Sequence, residues 1–327
     1  MILEFTAAPG FDFITRFSKQ INAVVRDNFL EIPKEMGEGY VRKVGFGNDF
    51  KLTIHRYTLK EDLIIKRNPT ATSNTIRTIF FYSNKEDLDV RYNHEVNIPF
   101  SQKNDSSILL STNDLRTEIR FPAGSNIQYV VVGITADRLR SVLSIEKPNG
   151  TLETITAENA SFLFFESLDP EMQLLLKNIV SVDMNNSLNN FYVQIKVQEL
   201  MYLLFSKLSI RESTPFKSIN SNDAEKLLVI RNELLSDLST PPVLSELAAI
   251  ASMSETKLKQ LFKQTFGDTI YNYYQKARME EAAFLLKQAK QSVSEVGYEL
   301  GFSNLSHFSR VFEKQYGITP KKFSYTS

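Results

Sequence analysis

The chain has 327 residues, with 38 Lys and Arg against 38 Asp and Glu, and no cysteine. This length is about twice that of a typical domain, so the sequence predicts two domains rather than one small module. A content of 42% hydrophobic and 23% charged residues is typical of a globular protein and excludes a disordered or fibrous chain. Because cysteine is absent, disulfide and thiol chemistry are excluded as well.

The compartment is predicted from three further features. The lack of cysteine fits a reducing environment. The first residues, Met1 to Phe5, do not form the basic and apolar regions of a secretory signal. The closest candidate for a membrane span, Leu200 to Phe205, is far shorter than the roughly 18 to 20 apolar residues needed. We therefore predict a cytoplasmic protein with no membrane partner.

The first half of the chain predicts one helix followed by many strands. Phe13, Phe17, Ile21 and Val24 recur at helical spacing and predict a helix over 11–29. From residue 39 to 135, runs rich in Val, Ile, Thr, Tyr and Phe are broken by turn formers about every 8 to 12 residues, which is typical of an all-β sandwich or barrel. The predicted strands are Tyr40–Phe46, Phe50–Leu59, Leu63–Arg67, Thr75–Ser83, Glu95–Phe100, Ser107–Ser111, Thr117–Phe121 and Ile127–Ile134, with a hairpin turn at Asn48-Asp49.

After Thr135 the periodicity becomes helical. Asp169-Pro170-Glu171 has the composition of a helix start, and a second helix is predicted over Ser187–Ser209. The second helix has two apolar faces, so it needs two partners. Either both faces pack inside the monomer, or one face meets a second subunit. One face consists of Val193, Val197, Leu200, Leu204 and Leu208, and the other of Phe191, Ile195 and Tyr202.

A domain boundary is predicted after this helix. The segment from Ser209 to Asn222 is polar, contains Pro215 and shows no period. Asn222 and Glu225 have the spacing of a capping pair at the start of a further helix. From there to the end of the chain the sequence predicts helices.

The C-terminal third contains an internal repeat. Each copy predicts a short helix, a turn and a second helix, which is the helix-turn-helix arrangement. The copies are Leu244–Ala251 with Ser254–Phe266, and Val293–Leu300 with Asn304–Tyr316. Because the offset changes from 49 to 50 residues, the second turn should contain one extra residue. The matched pairs are Glu246 and Glu295, Leu247 and Val296, Leu258 and Phe308, Phe262 and Phe312, Phe266 and Tyr316, Gly267 and Gly317, and Thr269 and Thr319.

The two copies are predicted to read DNA together. Thr269 to Gln288 should form a connecting helix of roughly 30 Å, close to the ~34 Å helical repeat of DNA. From residue 254 onward, eleven basic residues oppose seven acidic ones, a modest positive excess. Gln260 suits adenine, Lys259 suits guanine and Lys263 suits phosphate, while Arg310 suits guanine or phosphate. The predicted reading faces are Thr256, Lys259, Gln260 and Lys263 in the first copy, and Asn304, Leu305, Ser306, Ser309 and Arg310 in the second, with Ser254, Ser303 and Thr319 as helix caps.

A specific combination of residues accompanies this repeat. It comprises Ser254-x3-Leu258-x3-Phe262-Lys263, Gly267, Ala277-Arg278-Met279-x2-Ala282-x2-Leu285-Leu286, and Gly301-Phe302-Ser303-x2-Ser306-His307-Phe308-Ser309-Arg310-x-Phe312-x4-Gly317-x-Thr319-Pro320. On these residues the segment 223–327 resembles the AraC/XylS family of bacterial transcriptional regulators. Upstream, Met36-Gly37-Glu38-Gly39 and Gln198-Glu199-Leu200-Met201 are similar to the subset related to the pyochelin-responsive regulator.

The resemblance implies an α+β protein of two domains. It implies a jelly-roll or cupin-like β-barrel that binds an effector over 1–166, a helical dimerisation segment over 167–210, a linker over 211–222 and an AraC-type DNA-binding domain over 223–327. The implied partners are double-stranded promoter DNA, a small-molecule effector, a second copy of the chain and RNA polymerase. No cofactor is implied, and an activator is favoured over a repressor. Glu313 departs from the family, which usually has a basic residue there, so phosphate contacts should be fewer.

Two other classes of function remain open from sequence alone. A cupin-type enzyme fused to a DNA-binding domain would need converging metal ligands, and the three histidines, His55, His94 and His307, lie far apart in sequence. A constitutive dimeric DNA-binding protein would need no effector. The aromatic residues of the β region either line a ligand pocket or fill a plain core; they are Tyr57, Phe80, Phe81, Tyr82, Phe100, Phe121 and Tyr129.

Overall fold

The computed structural model describes residues 1–8, 10–70, 76–82, 89–91, 98–99, 107–182, 188–212, 215–288 and 291–325. The chain divides into two compact units, Met1–Glu225 and Lys226–Ser327. The first unit is rich in strands and the second is helical, which confirms the predicted α+β class with two domains. The predicted subdivision at residues 166, 210 and 222 stays a prediction.

The described part of the first unit contains two sheets and several helices. A five-stranded sheet has the order β1-β6-β11-β8-β9, and an eight-stranded sheet has the order β13-β10-β7-β12-β5-β4-β3-β2. The elements are β1 (Ile2–Thr6), α1 (Phe13–Gln20), β2 (Val25–Arg26), β3 (Phe29–Glu31), β4 (Gly37–Gly45), β5 (Phe50–Leu59), β6 (Leu63–Asn68), β7 (Ile76–Tyr82), β8 (Asp89–Arg91), β9 (Ile98–Pro99), β10 (Ser107–Thr112), β11 (Thr117–Phe121), β12 (Asn126–Thr135), α2 (Ala136–Leu143), α3 (Gly150–Thr156), β13 (Leu163–Ser167), α4 (Pro170–Val180) and α5 (Asn189–Ser209).

Most predicted strands are confirmed, with ends that differ from the prediction by at most three residues. Phe50–Leu59 and Thr117–Phe121 have the predicted bounds. The ends of the predicted Thr75–Ser83 strand, and most of Glu95–Phe100, lie outside the described residues. Five elements had no prediction, namely β1, β8, α2, α3 and β13.

The two faces of the eight-stranded sheet have different neighbours. Side chains alternate along a strand, and one face of β5 and β12 presents Leu52, Ile54, Val130 and Val132, all buried. These residues belong to one hydrophobic core with the apolar faces of α2 to α5. The opposite face lines an internal cavity, together with residues of the five-stranded sheet. These layers of the first unit are therefore α2 to α5, the large sheet, the cavity and the small sheet, in that order.

The predicted helix over 11–29 is too long. Helix α1 ends at Gln20. Asn22 has a positive φ of 50°, a left-handed conformation that cannot continue a right-handed helix. Val24, expected on the buried stripe, is 72% exposed. Asp27 and Asn28 also have positive φ and form the turn of a small hairpin between β2 and β3.

The predicted helices after the sheets are confirmed in their main features. Asp169 caps α4 by accepting the Met172 N–H at 2.9 Å, with Pro170 in the first turn. Helix α5 begins at Asn189, and the predicted start, Ser187, lies outside the described residues. The first predicted face of α5 is fully buried, because Val193, Val197, Leu200, Leu204 and Leu208 are each 0% exposed.

All the regular elements in the described residues of the second unit are helices. The predicted cap at Asn222 with Glu225 is wrong. Asn220 accepts the Asp223 N–H at 2.8 Å and its amide donates to the Asp223 carboxylate, so the helix starts earlier. None of the described helices has the length and apolar character that crossing a bilayer requires. The helices are α6 (Ser221–Ser236), α7 (Leu244–Ile250), α8 (Glu255–Phe266), α9 (Ile270–Lys287), α10 (Val293–Glu299), α11 (Leu305–Tyr316) and α12 (Pro320–Tyr325).

Candidate nucleic-acid interface and internal cavity

Two helix-turn-helix copies occupy the positions that the internal repeat predicts. The first copy is α7 with α8, and the second is α10 with α11. The same backbone hydrogen bond closes both turns: Met253 N–H donates to the Ala248 carbonyl at 3.0 Å, and Phe302 N–H donates to the Gly297 carbonyl at 2.9 Å. The predicted extra residue is confirmed, since residues 251–254 separate α7 from α8 and residues 300–304 separate α10 from α11.

Helices α8 and α11, which we call the two reading helices, begin with a side-chain cap. Ser254 accepts the Lys257 N–H, as predicted. In the second copy the predicted cap at Ser303 is wrong, because Asn304 is the N-cap residue and its Oδ1 accepts the His307 N–H at 3.0 Å. Asn304 was predicted as a DNA contact. In the structure its side-chain oxygen caps the second reading helix.

The reading helices also end alike. Gly267 and Gly317 adopt left-handed conformations, with φ of 77° and 74°. Thr269 then caps α9 by accepting the Asn272 N–H at 3.2 Å, and Thr319 accepts the Lys322 N–H at 3.4 Å at the start of α12. The repeat therefore extends from the turns through both reading helices into the helices that follow.

The first reading helix has a buried face and a polar face. Thr256 and Lys259 are exposed, while Gln260 and Lys263 are partly buried. Lys259 forms an ion pair with Glu255 one turn earlier, with 3.8 Å between Nζ and Oε2. All four predicted contact residues are thus at least partly accessible. The buried face consists of Leu258, Leu261 and Phe262.

The second reading helix presents a different polar face. Ser306 and Arg310 are exposed, and Ser309 is partly buried. Leu305 is turned toward α10, because a Cβ built on Gly297 would lie 2.6 Å from its Cδ2 atom. Of the predicted contacts in this copy, Arg310 is the one long, positively charged side chain. Glu313, the departure from the family pattern, is exposed on the same helix.

Helix α9 is anchored to the second copy through Arg278. This arginine is 4% exposed and donates through Nη2 to the carbonyl of Leu300, at the end of α10. Its guanidinium lies over the rings of Phe302 at 3.8 Å and Tyr274 at 5.2 Å. Burial lowers the pKa of Arg278 from its usual value. The sequence counted Arg278 among the basic residues, but its contacts are structural.

A second basic residue of the connecting helix is paired with a carboxylate. Lys276 forms an ion pair with Asp268 at 2.7 Å. With Arg278 buried, the positive charge available to DNA lies mainly on the two reading helices and α12. The connecting helix has 18 residues, or about 27 Å at 1.5 Å per residue.

A cavity of about 350 Å³ lies between the two sheets of the first unit. Several N-terminal residues form part of the wall, namely Phe5, Ala7, Ala8, Gly10, Phe11, Asp12 and Phe13. Of the aromatic residues that the sequence offered for a pocket, Phe80 and Tyr129 line this cavity. The walls from the sheets are Thr53, His55, Thr78, Phe80, Leu109, Ser111, Tyr129 and Val131 on one side and Phe5, Ile65, Arg67, Thr117 and Ile119 on the other.

His55 and Tyr129 form the centre of one cavity wall. Their rings are stacked with centroids 4.0 Å apart, and the Tyr129 hydroxyl hydrogen-bonds to that of Tyr57 at 3.1 Å. Burial lowers the pKa of His55 well below its usual value, so the ring is neutral. His55 Nε2 lies 3.0 Å from the Thr53 hydroxyl. Among the described residues, no three His, Asp or Glu side chains are grouped as metal ligands.

Arg67 is a cavity residue that the sequence analysis did not identify. It is 7% exposed and donates to oxygens of Ser111 and Thr117, both of which line the cavity. A signal was present in the sequence: Leu63, Ile65 and Arg67 alternate along β6, which places the arginine on the inward face.

A sheet-rich unit enclosing a cavity, followed by two helix-turn-helix copies on one connecting helix, defines the class of AraC-type transcription regulators. The family model for the regulatory protein PchR N-terminal domain matches residues 38–219, which is more than half of the chain. A helix-turn-helix domain model matches residues 247–325. The chain belongs to the AraC-type regulatory proteins that carry the PchR N-terminal domain.

Curated relatives are similar in the DNA-binding part. An uncharacterised HTH-type transcriptional regulator of Haemophilus influenzae is 35% identical over 80 residues, 24% of this chain and 27% of that protein. The HTH-type transcriptional activator RhaR of Escherichia coli K12 is 32% identical over 129 residues, 38% of this chain and 46% of RhaR. The chain thus spans less than half the length of these relatives.

Solved structures of similar proteins include ToxT and AraT. ToxT from Vibrio cholerae O395 covers 85% of this chain and 98% of its own, with 17% identity and a TM-score of 0.32. The C-terminal domain of AraT, a response regulator from Geobacillus stearothermophilus, covers 31% of this chain and 85% of its own, with 25% identity and a TM-score of 0.30.

Proposed function

We propose that this chain is a ligand-responsive activator of transcription that binds promoter DNA as a homodimer in the cytoplasm. The observation that carries the DNA-binding part is the pair of equivalent helix-turn-helix copies, with the same turn hydrogen bond and the same helix ends. In such motifs the second helix enters the major groove. The connecting helix between the two copies is about 27 Å long. This length is close to the ~34 Å helical repeat of DNA.

The proposed reading residues are supported by their exposure on the two reading helices. In the first copy, Gln260 and Lys259 contact bases and Lys263 contacts phosphate, with Thr256 beside them. In the second copy, Arg310 contacts guanine or phosphate. It is supported by the shorter polar contacts of Asn304, Ser306 and Ser309. Leu305, also predicted as a contact, is turned toward α10.

Footprinting across a bacterial genome, with the chain present and absent, tests this assignment. We expect discrete protected sites upstream of genes whose transcripts rise when the protein is produced. The activator role is supported by the relative RhaR, which is described as a transcriptional activator. Activation would involve contact with RNA polymerase. Falling transcripts at the bound sites would contradict the activator role, and the absence of discrete sites would contradict the function itself.

Effector binding is supported by the cavity between the two sheets. Its volume of about 350 Å³ lies within the usual range of roughly 300 to 1,000 Å³ for small-molecule sites. A thermal-shift screen of metabolites and siderophores on the full-length chain is the test. Binding to the folded state at a hundredfold excess over Kd should raise the unfolding free energy by about 2.7 kcal/mol. If no compound raises the melting temperature, the protein is a constitutive dimer without an effector.

Dimerisation is supported by the second apolar face of α5. Phe191, Ile195 and Tyr202 are 61%, 45% and 69% exposed. This face therefore has no partner among the described residues of the monomer. Ile195→Asp and Tyr202→Asp should each yield a folded monomer with weaker binding to a two-site operator. A native chain that is itself monomeric at micromolar concentration by light scattering would contradict the dimer.

A further inference from the structure

The cavity wall formed by the eight-stranded sheet changes in side-chain size from one end to the other. Strands β5, β12 and β7 lie side by side in this wall, and residues paired across them form rows that line the cavity. One end of the wall consists of aromatic rings, and the other end contains a residue with no side chain. The rows, in order, are His55 with Tyr129, Thr53 with Val131 and Phe80, and Lys51 with Gly133 and Thr78.

The cavity opens at the end where Gly133 lies. Asn48 and Asp49 line the cavity and are exposed. The Asp49 carbonyl accepts the Thr135 N–H at 3.0 Å, two residues beyond Gly133 along β12. The two aromatic rings at the opposite end of the wall are at most 2% exposed. The bare end of the wall is therefore the mouth of the cavity, and the aromatic end is its interior.

The backbone and the packing around Gly133 would accept a side chain. Gly133 is not among the glycines with positive φ, and it lies inside β12 with paired strands on both sides. A Cβ built on Gly133 would have no atom of the described residues within 4 Å, apart from its chain neighbours. Because side chains alternate along a strand, this Cβ would point into the cavity, as Val131 and Thr135 do.

The two cross-strand neighbours of Gly133 leave this space open. The Lys51 side chain is long, but its Nζ donates to the Phe11 carbonyl at 2.7 Å. Thr78, on the other side, has a short side chain. Glycine inside a strand weakens the strand, and it often marks a place where a ligand approaches the backbone closely. The space of one side chain is thus kept free at the mouth of the cavity.

We propose that Gly133 determines which ligands the cavity accepts, because the bulkiest part of the ligand lies on the bare backbone of β12 at the mouth. The proposal rests on the function proposed above, since it adds a specificity-determining residue to the same cavity. A side chain at residue 133 occupies this space and excludes large ligands by steric overlap. Small ligands still reach the aromatic end. The size of the residue at position 133 therefore sets an upper limit on ligand size.

Two uncharged fluorescent probes that differ by one phenyl ring test this size limit. The full-length wild type, Gly133→Ala and Gly133→Val are titrated with 1-naphthylamine and with N-phenyl-1-naphthylamine. The wild type should bind both probes. Gly133→Val should weaken binding of the larger probe about tenfold or more, as overlap in a packed site does. Its affinity for the smaller probe should change less than about threefold, and Gly133→Ala should lie between Gly133→Val and the wild type.

The control Gly45→Val adds the same side chain in the same row of the sheet. Gly45 pairs with Lys51 from the side opposite to Gly133, and a Cβ built there also has no atom of the described residues within 4 Å. Gly45 is exposed and is not one of the lining residues named for the cavity. This variant should bind both probes like the wild type. Without a probe, neither valine variant should melt at a lower temperature than the wild type, because strands favour β-branched residues over glycine.

The possible outcomes separate this proposal from the function it rests on. If Gly133→Val binds the larger probe as tightly as the wild type, or the wild type binds the smaller probe alone, the proposal is wrong and ligand binding stands. Equal weakening of both probes, a lower melting temperature of Gly133→Val, or the same loss in Gly45→Val would overturn it as well, because the effect would then lie in the fold. If neither probe binds the wild type, effector binding at the cavity is contradicted together with the proposal.

Discussion

The two helix-turn-helix copies share a backbone but differ in the residue that makes the turn possible. Ser252 has a φ of 48° in the first turn, and Gly301, 49 residues later, has a φ of 74° in the second. A left-handed conformation strains a serine by roughly 1–2 kcal/mol, while glycine adopts it freely. A Cβ on Gly301 would also lie 1.8 Å from the Ser239 carbonyl oxygen. The second turn therefore lies against a backbone carbonyl that leaves room only for glycine at residue 301.

The reading faces differ in charge as well. In the first copy the positive charge of Lys259 is partly offset by Glu255 on the same helix. In the second copy Arg310 is exposed, and the cap residue Asn304 sits at the helix start. The repeat therefore preserves buried positions and the left-handed glycines after the reading helices, while the exposed residues of these helices differ between the copies.

The largest effect should come from adding one methyl group to the second turn. Gly301→Ala combines a left-handed backbone with a clash against the Ser239 carbonyl, so we expect a loss of about 3 kcal/mol or more in unfolding free energy. Urea unfolding followed by circular dichroism measures it. In the control Gly317→Ala the φ is similar but no atom lies within 4 Å of the new Cβ, so the loss should be about 1 kcal/mol. Equal losses would refute the packing argument.

DNA binding should separate the roles of the reading residues. Arg310→Ala and Gln260→Ala should each weaken binding to the selected site by roughly 1–3 kcal/mol, with less effect on random DNA. Lys263→Ala should weaken binding to all sequences and lower the salt slope by about one, because the contact proposed for Lys263 is with phosphate. Fluorescence anisotropy at several salt concentrations measures both. The same loss for all three variants on specific and random DNA would contradict these roles.

The two N-cap residues, Ser254 and Asn304, should contribute similarly to the unfolding free energy. Only Asn304 should also contribute to DNA affinity. Ser254→Ala and Asn304→Ala should each lower the unfolding free energy by about 1 kcal/mol, because a helix N–H loses its acceptor. Asn304→Ser keeps a capping oxygen and removes the amide. This variant should retain stability and still bind the specific site more weakly. Wild-type affinity in Asn304→Ser would show that Asn304 only caps the helix.

The smallest effect concerns the first turn. Ser252→Gly should raise the unfolding free energy by about 0.5 to 1 kcal/mol, because relief of the left-handed strain exceeds the entropy cost of glycine. The same urea experiment measures it, with Ser245→Gly in helix α7 as the control that should destabilise. A loss of stability in Ser252→Gly would mean that the serine side chain stabilises this turn.

The DNA-binding unit could be predicted well because its signals are local. Gly267, Gly317 and Thr269 occupy positions whose conformation or cap depends on neighbours within four residues. The buried apolar residues follow the helical period. The errors were also local: Asn304 replaced Ser303 as the cap, one residue away, and Asn220 replaced Asn222.

The cavity could not be predicted because strands distant in sequence build it. Alternation places Leu63, Ile65 and Arg67 on one face of β6, but does not tell which sheet that face meets. His55 and Tyr129 meet only because β5 pairs with β12 in one register. The structural role of Arg278 was hidden for the same reason, since its partner Leu300 lies 22 residues away, in the turn that follows α10.

The central claim is that one chain reads two successive stretches of DNA with two different helices. It is tested most directly by selecting binding sites from random DNA with the full-length wild type, Gln260→Ala and Arg310→Ala. We predict two preferred base blocks with centres about 10 to 10.5 base pairs apart, one relaxed by Gln260→Ala and the other by Arg310→Ala. A single block, or two blocks that both variants relax equally, would contradict the account.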